Sequence, residues 1–149
     1  MNWKHKLEQS ESLQSNLTTF LNQYGLSGLE HALQLYTNLQ QEYICRTKTS
    51  TSKINLIDIY YLEIRTHTIT VHTQHGSYRK YGSLADEEKL LSPYGFIKCN
   101  QSCIVNLGKI RSICNNTITL INNTHLHMSQ LYAPKVLIAF SCNSISKSS

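Results

Sequence analysis

The chain is expected to fold as a mainly β domain with a short internal helix and a C-terminal helix, preceded by an α-helical hairpin. Three observations predict this. Apolar residues recur at helical spacing as far as Tyr43, and from about Ile54 the spacing shifts toward every second position. The second region is crowded with β-branched residues, as in Thr66-His67-Thr68-Ile69-Thr70-Val71-His72-Thr73. Short apolar runs there alternate with Asn and Gly, the residues that turns require. At 149 residues the chain has room for one ordinary domain and a short appendage.

The helices come first. Leu13, Leu17, Phe20, Leu21 and Tyr24 share one helical face, and Gly25 follows where a C-cap belongs. Ser27-Gly28-Leu29-Glu30 has the spacing of a capping box, in which the serine and glutamate satisfy each other's free backbone amides. The helix it opens carries Leu29, Leu33, Tyr36, Leu39 and Tyr43 as its stripe, widened by Ala32 and Leu35. Residues 1–46 therefore read as a hairpin that cannot bury both apolar faces alone. It is expected to dock on the rest of the chain or on a second copy.

The polar, basic stretch from Arg46 to Lys53 reads as a linker or a first exposed strand. Strands are then expected through Tyr60 to Ile64, Thr66 to Thr73 and Tyr78 to Tyr81, with a turn at Gly76. A short helix follows, capped by Ser83 with Asp86 three residues on and stopped near Ser92-Pro93. Phe96 to Cys99, Cys103 to Asn106, Ile110 to Cys114, Thr117 to Ile121 and Leu126 to Met128 complete the strands. Leu131 to Phe140 reads as the last helix, with Pro134 in its first turn. This makes residues 47–140 one domain and 141–149 a disordered tail.

Net charge is +5, and its distribution matters more than its size. Residues 1–50 carry four basic and four acidic side chains, whereas residues 51–149 carry ten and five. A localised excess of that kind fits a partner with a negative surface, nucleic acid first. No apolar run approaches the roughly 18 residues of a membrane span, and Met1 to Lys6 has no hydrophobic signal segment, so a cytoplasmic location is expected.

Catalysis is not expected. No phosphate-binding glycine loop, dinucleotide fingerprint or nucleophile elbow occurs. His125 and His127 would share a strand face, and His72 and His75 would meet across a turn, but a metal site needs a third ligand, and the acidic residues nearest His125 lie far upstream. No metal and no cofactor are therefore expected, nor a small-molecule substrate. The five cysteines contain no C-x-x-C pair, and Cys99 and Cys103 would lie about 13 Å apart if both sat on one extended strand. They read as buried free thiols. A hydrolase built on Cys103 and a nearby histidine is the remaining catalytic alternative.

Nucleic-acid binding uses what is present. Arg65, Arg79, Lys80, Lys98, Lys109 and Arg111 can neutralise phosphates, and His67, Asn100 and Gln101 carry donors and acceptors suited to base edges. The segment Phe96-Ile97-Lys98-Cys99-Asn100-Gln101-Ser102-Cys103-Ile104-Val105-Asn106 resembles the signature of the LytTR family of bacterial DNA-binding domains. That signature runs roughly as phenylalanine, aliphatic, basic, any, histidine, basic or polar, serine, aromatic, aliphatic, valine, asparagine. Ile57 to Glu63, Gly82-Ser83-Leu84, Ile110 to Ile113 and Leu126 to Ser129 extend the likeness, so that it covers about residues 47–140.

The resemblance implies an elongated multi-sheet β domain whose loops enter the major grooves of bent DNA. It places contacts in three stretches: Arg65-Thr66-His67; Asn100, Gln101 and Ser102 after Lys98; and the residues that follow Ser129. In the third, where members carry one or two arginines, this chain has Gln130 and Leu131, and Asn100 stands where histidine is usual. Asn106 and the apolar signature residues are expected to serve the fold instead. The implied function is a sequence-specific regulator of transcription that binds double-stranded DNA, with two copies on paired half-sites offsetting the missing arginines. The alternative is a module of the same fold that binds proteins and has lost strong DNA binding. No aspartate precedes the β region, so the phospho-receiver domain of response regulators has no place in residues 1–46. Control is expected through the hairpin, by self-association or by an inhibitor protein, membrane-bound as in some receiver-less relatives.

Overall fold

A computed structural model describes residues 2–142. The chain divides into two compact units, one holding the residues up to Thr37 and the other beginning at Asn38.

The first unit is helical. A short helix, α1 (Trp3–Gln9), is capped by the Asn2 side chain and had no counterpart in the sequence reading. It is followed by α2 (Glu11–Leu39), broken at Gly25, whose φ of 72° and ψ of −174° interrupt the helical backbone. Gly25 thus separates two helical segments, as its place after Tyr24 predicts. Leu13, Leu17, Leu26, Leu33 and Tyr36 are exposed.

Tyr43 is not on the helix. It lies in β1 (Glu42–Arg46), which pairs antiparallel with β2 (Thr51–Asn55), so the domain boundary expected at 46/47 falls inside this hairpin. Tyr43 and Cys45 point into the core while Glu42, Ile44 and Arg46 face outward, the alternation of a one-sided strand.

A five-stranded antiparallel sheet forms the centre, in the order β5 (Gly76–Tyr81), β4 (Thr68–Thr73), β3 (Ile59–Arg65), β7 (Cys103–Asn106), β6 (Phe96–Asn100). One face carries Leu62, Ile69, Val71 and Ile104, covered by Tyr43, Cys45 and Ile54 of the hairpin and by Leu84 and Leu91 of α3 (Leu84–Leu91). Ser83 caps α3 by accepting from the Asp86 amide, as its spacing predicts. The other face, at the β6–β7 side, packs Cys99, Cys103 and Val105 against a three-stranded sheet and a final helix. That sheet is β8 (Ile110–Cys114), β9 (Thr117–Leu120) and β10 (His125–His127), and the helix is α4 (Ala133–Cys142). Ile59, Leu62, Ile69 and Val71 are fully buried, and each contributes roughly 1.5–3 kcal/mol by leaving water. Ser141 and Cys142 close α4; the rest of the tail expected from 141 lies outside the described residues.

Two polar groups tie these layers together. The buried Asn106 side chain donates to the Ile59 carbonyl at 2.9 Å and accepts from the Gly108 amide at 3.1 Å, so it holds the end of β7 to the start of β3. Between the hairpin, α3 and β5, Tyr43 donates to Glu87 at 2.6 Å, and Lys80 pairs with the second oxygen of Glu87 at 2.8 Å. Burial, and then the bond to Glu87, hold the Tyr43 hydroxyl above the usual phenol range, so it stays protonated and donates.

Cys99 and Cys103 do not share an extended strand. They sit on β6 and β7 across a turn, where the Cys99 thiol reaches the Cys103 carbonyl at 3.9 Å. The thiol contact with Cys99, and then burial, push Cys103 above the ordinary thiol value. A nucleophilic cysteine needs the opposite shift.

Candidate nucleic-acid interface

Because the central sheet is antiparallel, the turns that join β3 to β4 and β6 to β7 emerge at the same end. The Ile64 amide donates to the Ser102 carbonyl at 2.9 Å and extends the β3–β7 ladder up to the two turns. Arg65, Thr66 and His67 in the first turn are exposed, as are Gln101 and Ser102 in the second. Thr66 has a φ of 58°, an uncommon state for a β-branched residue, and it turns the chain so that His67 projects outward from the strand pair.

The third stretch joins the same end. The Ser129 amide donates to the Cys99 carbonyl at 3.0 Å, and the Ser129 carbonyl accepts from Tyr132 and Ala133 to start α4. Gln130 is exposed between these bonds, and the neighbouring Leu131 is 77% exposed. Of the residues expected to contact DNA, Arg65, His67, Gln101, Ser102 and Gln130 thus lie along one edge.

Asn100 and Lys98 are placed differently. Asn100 is half-buried and donates to the His127 carbonyl at 2.7 Å. Its own carbonyl accepts from the Ser102 amide at 2.9 Å and the Ser102 hydroxyl at 3.1 Å. The side chain therefore builds the turn that presents Gln101. Lys98 is set back on β6, with its ammonium 5.4 Å from the centre of the Tyr132 ring. Lys109, expected as a phosphate partner, lies past the far end of β7 over the Tyr60 ring at 5.5 Å.

Residues 38–142 carry eleven basic and six acidic side chains; Arg46 ends β1 and Lys48 lies in the β1–β2 turn, within the stretch whose sequence reads as a linker or a first exposed strand. Among the described residues no three His, Cys, Asp or Glu side chains converge as a metal site would require. His72 is engaged with Glu63 at 2.8 Å and stacks on Tyr61. No helix among the described residues is long and apolar enough to cross a membrane.

The profile of the LytTr DNA-binding domain matches residues 49–140, which is more than half of the chain. The chain belongs to the LytTR family. Among solved structures, the LytTr DNA-binding domain of a methyl-accepting/DNA response regulator from Bacillus cereus is similar at 25% identity and a TM-score of 0.57. The likeness covers 66% of this chain and 97% of that one. No curated protein matches the chain. The LytTR domain is a DNA-binding domain, so DNA is the partner of this fold, and the three sheets seen here are the architecture the family likeness implies.

Proposed function

We propose that this LytTR protein is a sequence-specific transcriptional regulator that reads the major grooves of double-stranded DNA with its β3–β4 and β6–β7 turns. The reading rests on one observation: three stretches separated by some 30 residues each are hydrogen-bonded into a single exposed edge, through Ile64 to Ser102 and Ser129 to Cys99. On that edge His67 and Gln101 supply base contacts, while Arg65 and Ser102 supply phosphate contacts. Asn100 acts by holding the second turn, Lys98 by adding charge behind it, and Gln130 by meeting the backbone as a neutral donor.

Two copies acting on paired half-sites in the cytoplasm complete the proposal. The exposed Leu13, Leu17, Leu33 and Tyr36 of the helical unit support a protein contact there, with a second copy or with an inhibitor protein. The competing reading, a module that binds protein instead of DNA, is favoured by the exposed Leu131 at the position where a basic side chain would serve DNA better. Gel shifts on promoter DNA across salt separate the two. The regulator loses on the order of tenfold or more in affinity between 50 and 200 mM salt. Absence of binding to any promoter duplex at low salt, with the helices intact, would establish the protein-binding module.

A further inference from the structure

The edge continues on the far side of His67. The Gly82 amide donates to the His67 carbonyl at 3.1 Å, so the end of β5 lies against the β3–β4 turn. Beyond it the β1–β2 turn and the ends of β4 and β5 enclose a cleft of about 600 Å³. Arg46 and Lys48 line one wall and Arg79 lines the other, with Thr68 and the 80% exposed Tyr81 between them and the His67 turn. No carboxylate lines this cleft, although Arg79, whose side chain alternates with that of Lys80 along β5, also borders an adjoining cleft with Arg65 and Glu63. The one cation of the cleft with an ion-pair partner is Lys80, held by Glu87 at 2.8 Å; Arg46, Lys48 and Arg79 make no ion pair among the described residues.

The β1–β2 turn is also built to stay in place. The Thr47 amide donates to the Ser50 carbonyl at 2.8 Å, and the Ser50 amide donates to the Thr47 hydroxyl at 3.1 Å. Tyr43 and Cys45 root the strand below it in the core, and the Cys45 thiol reaches the Arg79 carbonyl at 3.7 Å. Three unpaired cations are thus held on a fixed scaffold beside a proposed base-reading turn. Phosphate contacts of this kind set the register of a protein on a duplex without reading its sequence.

We propose that Arg46, Lys48 and Arg79 form a phosphate clamp that grips the DNA backbone next to the groove entered by His67. The clamp rests on the regulator reading above and extends its contact surface onto the β1–β2 hairpin. The test uses the full chain, with Lys48→Gln and Arg79→Gln singly and together. Lys89→Gln removes the same charge from the last turn of α3, at the opposite end of the sheet. Binding is measured by fluorescence anisotropy on a promoter duplex and on a random duplex, from 50 to 200 mM salt.

The clamp predicts a severalfold loss of affinity for each of the first two substitutions, equal on both duplexes. It also predicts that the slope of log affinity against log salt falls by about 1 per residue. Lys89→Gln then leaves affinity and slope near wild type. Wild-type affinity and slope in the double variant, while the unmodified chain binds DNA, would overturn the clamp and leave the regulator reading standing. Equal losses for Lys89→Gln would reduce the cleft to general electrostatics and overturn it as well. No DNA binding by the unmodified chain overturns the regulator reading and the clamp together. Arg79 and Lys48 are exposed, so circular dichroism melts within a few degrees of wild type are expected for every variant.

Discussion

The Ile64 amide donates to the Ser102 carbonyl at 2.9 Å, and this one bond sets the two principal turns of the protein side by side. It lies one residue beyond the last ladder pair between β3 and β7, Glu63 with Cys103. Any DNA-reading role of His67 depends on it as much as any role of Gln101 does. The proposed DNA-reading edge is therefore a product of strand register, which the buried Leu62 and Ile104 pin from the core face.

The turn that carries Gln101 is held by Asn100, whose amide reaches the His127 carbonyl at 2.7 Å and whose oxygen takes both Ser102 donors. Asn100→Ala strands those groups and is expected to cost about 1–3 kcal/mol of stability. DNA affinity should fall with it, because Gln101 loses its support. Gln101→Ala, by contrast, should leave the melting temperature unchanged, since the Gln101 side chain is exposed and makes no hydrogen bond among the described residues. Thermal melts of the two variants side by side check the difference. An unchanged melt for Asn100→Ala would return that side chain to the solvent-facing, base-contacting role.

Thr66 sits in the left-handed region at φ 58° between Arg65 and His67. A side chain there costs roughly 1–2 kcal/mol, and glycine avoids that cost while losing about 0.5–1 kcal/mol in chain entropy. Thr66→Gly is expected to stabilise the fold by about 0.5 kcal/mol or slightly more and, at the same time, to weaken DNA binding by loosening His67. Urea unfolding with an unchanged m-value, run beside the gel shift, measures both. Stability lost on this substitution would contradict the assigned strain.

Glu87 joins three elements, accepting from Tyr43 of β1 and pairing with Lys80 of β5 from its place on α3. Glu87→Ala leaves Lys80 half-buried without a counter-charge and Tyr43 without an acceptor, at a cost of about 3 kcal/mol or more. Tyr43→Phe leaves the Lys80 pair intact, so it should cost only about 1 kcal/mol. That order of melting temperatures is the test. A reversed order would show that the hydroxyl, and not the ion pair, anchors the hairpin.

Much of this fold was legible in the sequence, and the exceptions have physical causes. Thr68 to Thr73 alternates cleanly because one face of β4 is fully buried and the other only half-buried, and the caps at Gly25 and Ser83 stand where their residue types require. Tyr43 was misassigned because it lies four residues beyond Leu39, so a helical stripe and a strand pointing inward ask for the same apolar residue there. With Tyr43 on a helix there is no β1, and the basic cleft is hidden too, since it forms only where the β1–β2 turn meets the distant ends of β4 and β5. The inward role of Asn100 was equally hidden, because its partner, the His127 carbonyl, lies 27 residues away in sequence. The exposed edge residues are legible through the family likeness, whereas the polar side chains that the fold itself uses are visible only in three dimensions.

The central claim is that the β3–β4 and β6–β7 turns form one edge that reads DNA sequence, and discrimination between duplexes tests it most directly. The duplex that the full chain enriches from a random library is titrated against a random duplex at fixed salt, with wild type, His67→Ala and Gln101→Ala. Each substitution should cost about 1–3 kcal/mol on the enriched duplex and almost nothing on the random one. Equal losses on both duplexes, or no loss on either, would contradict a base-reading role for this edge.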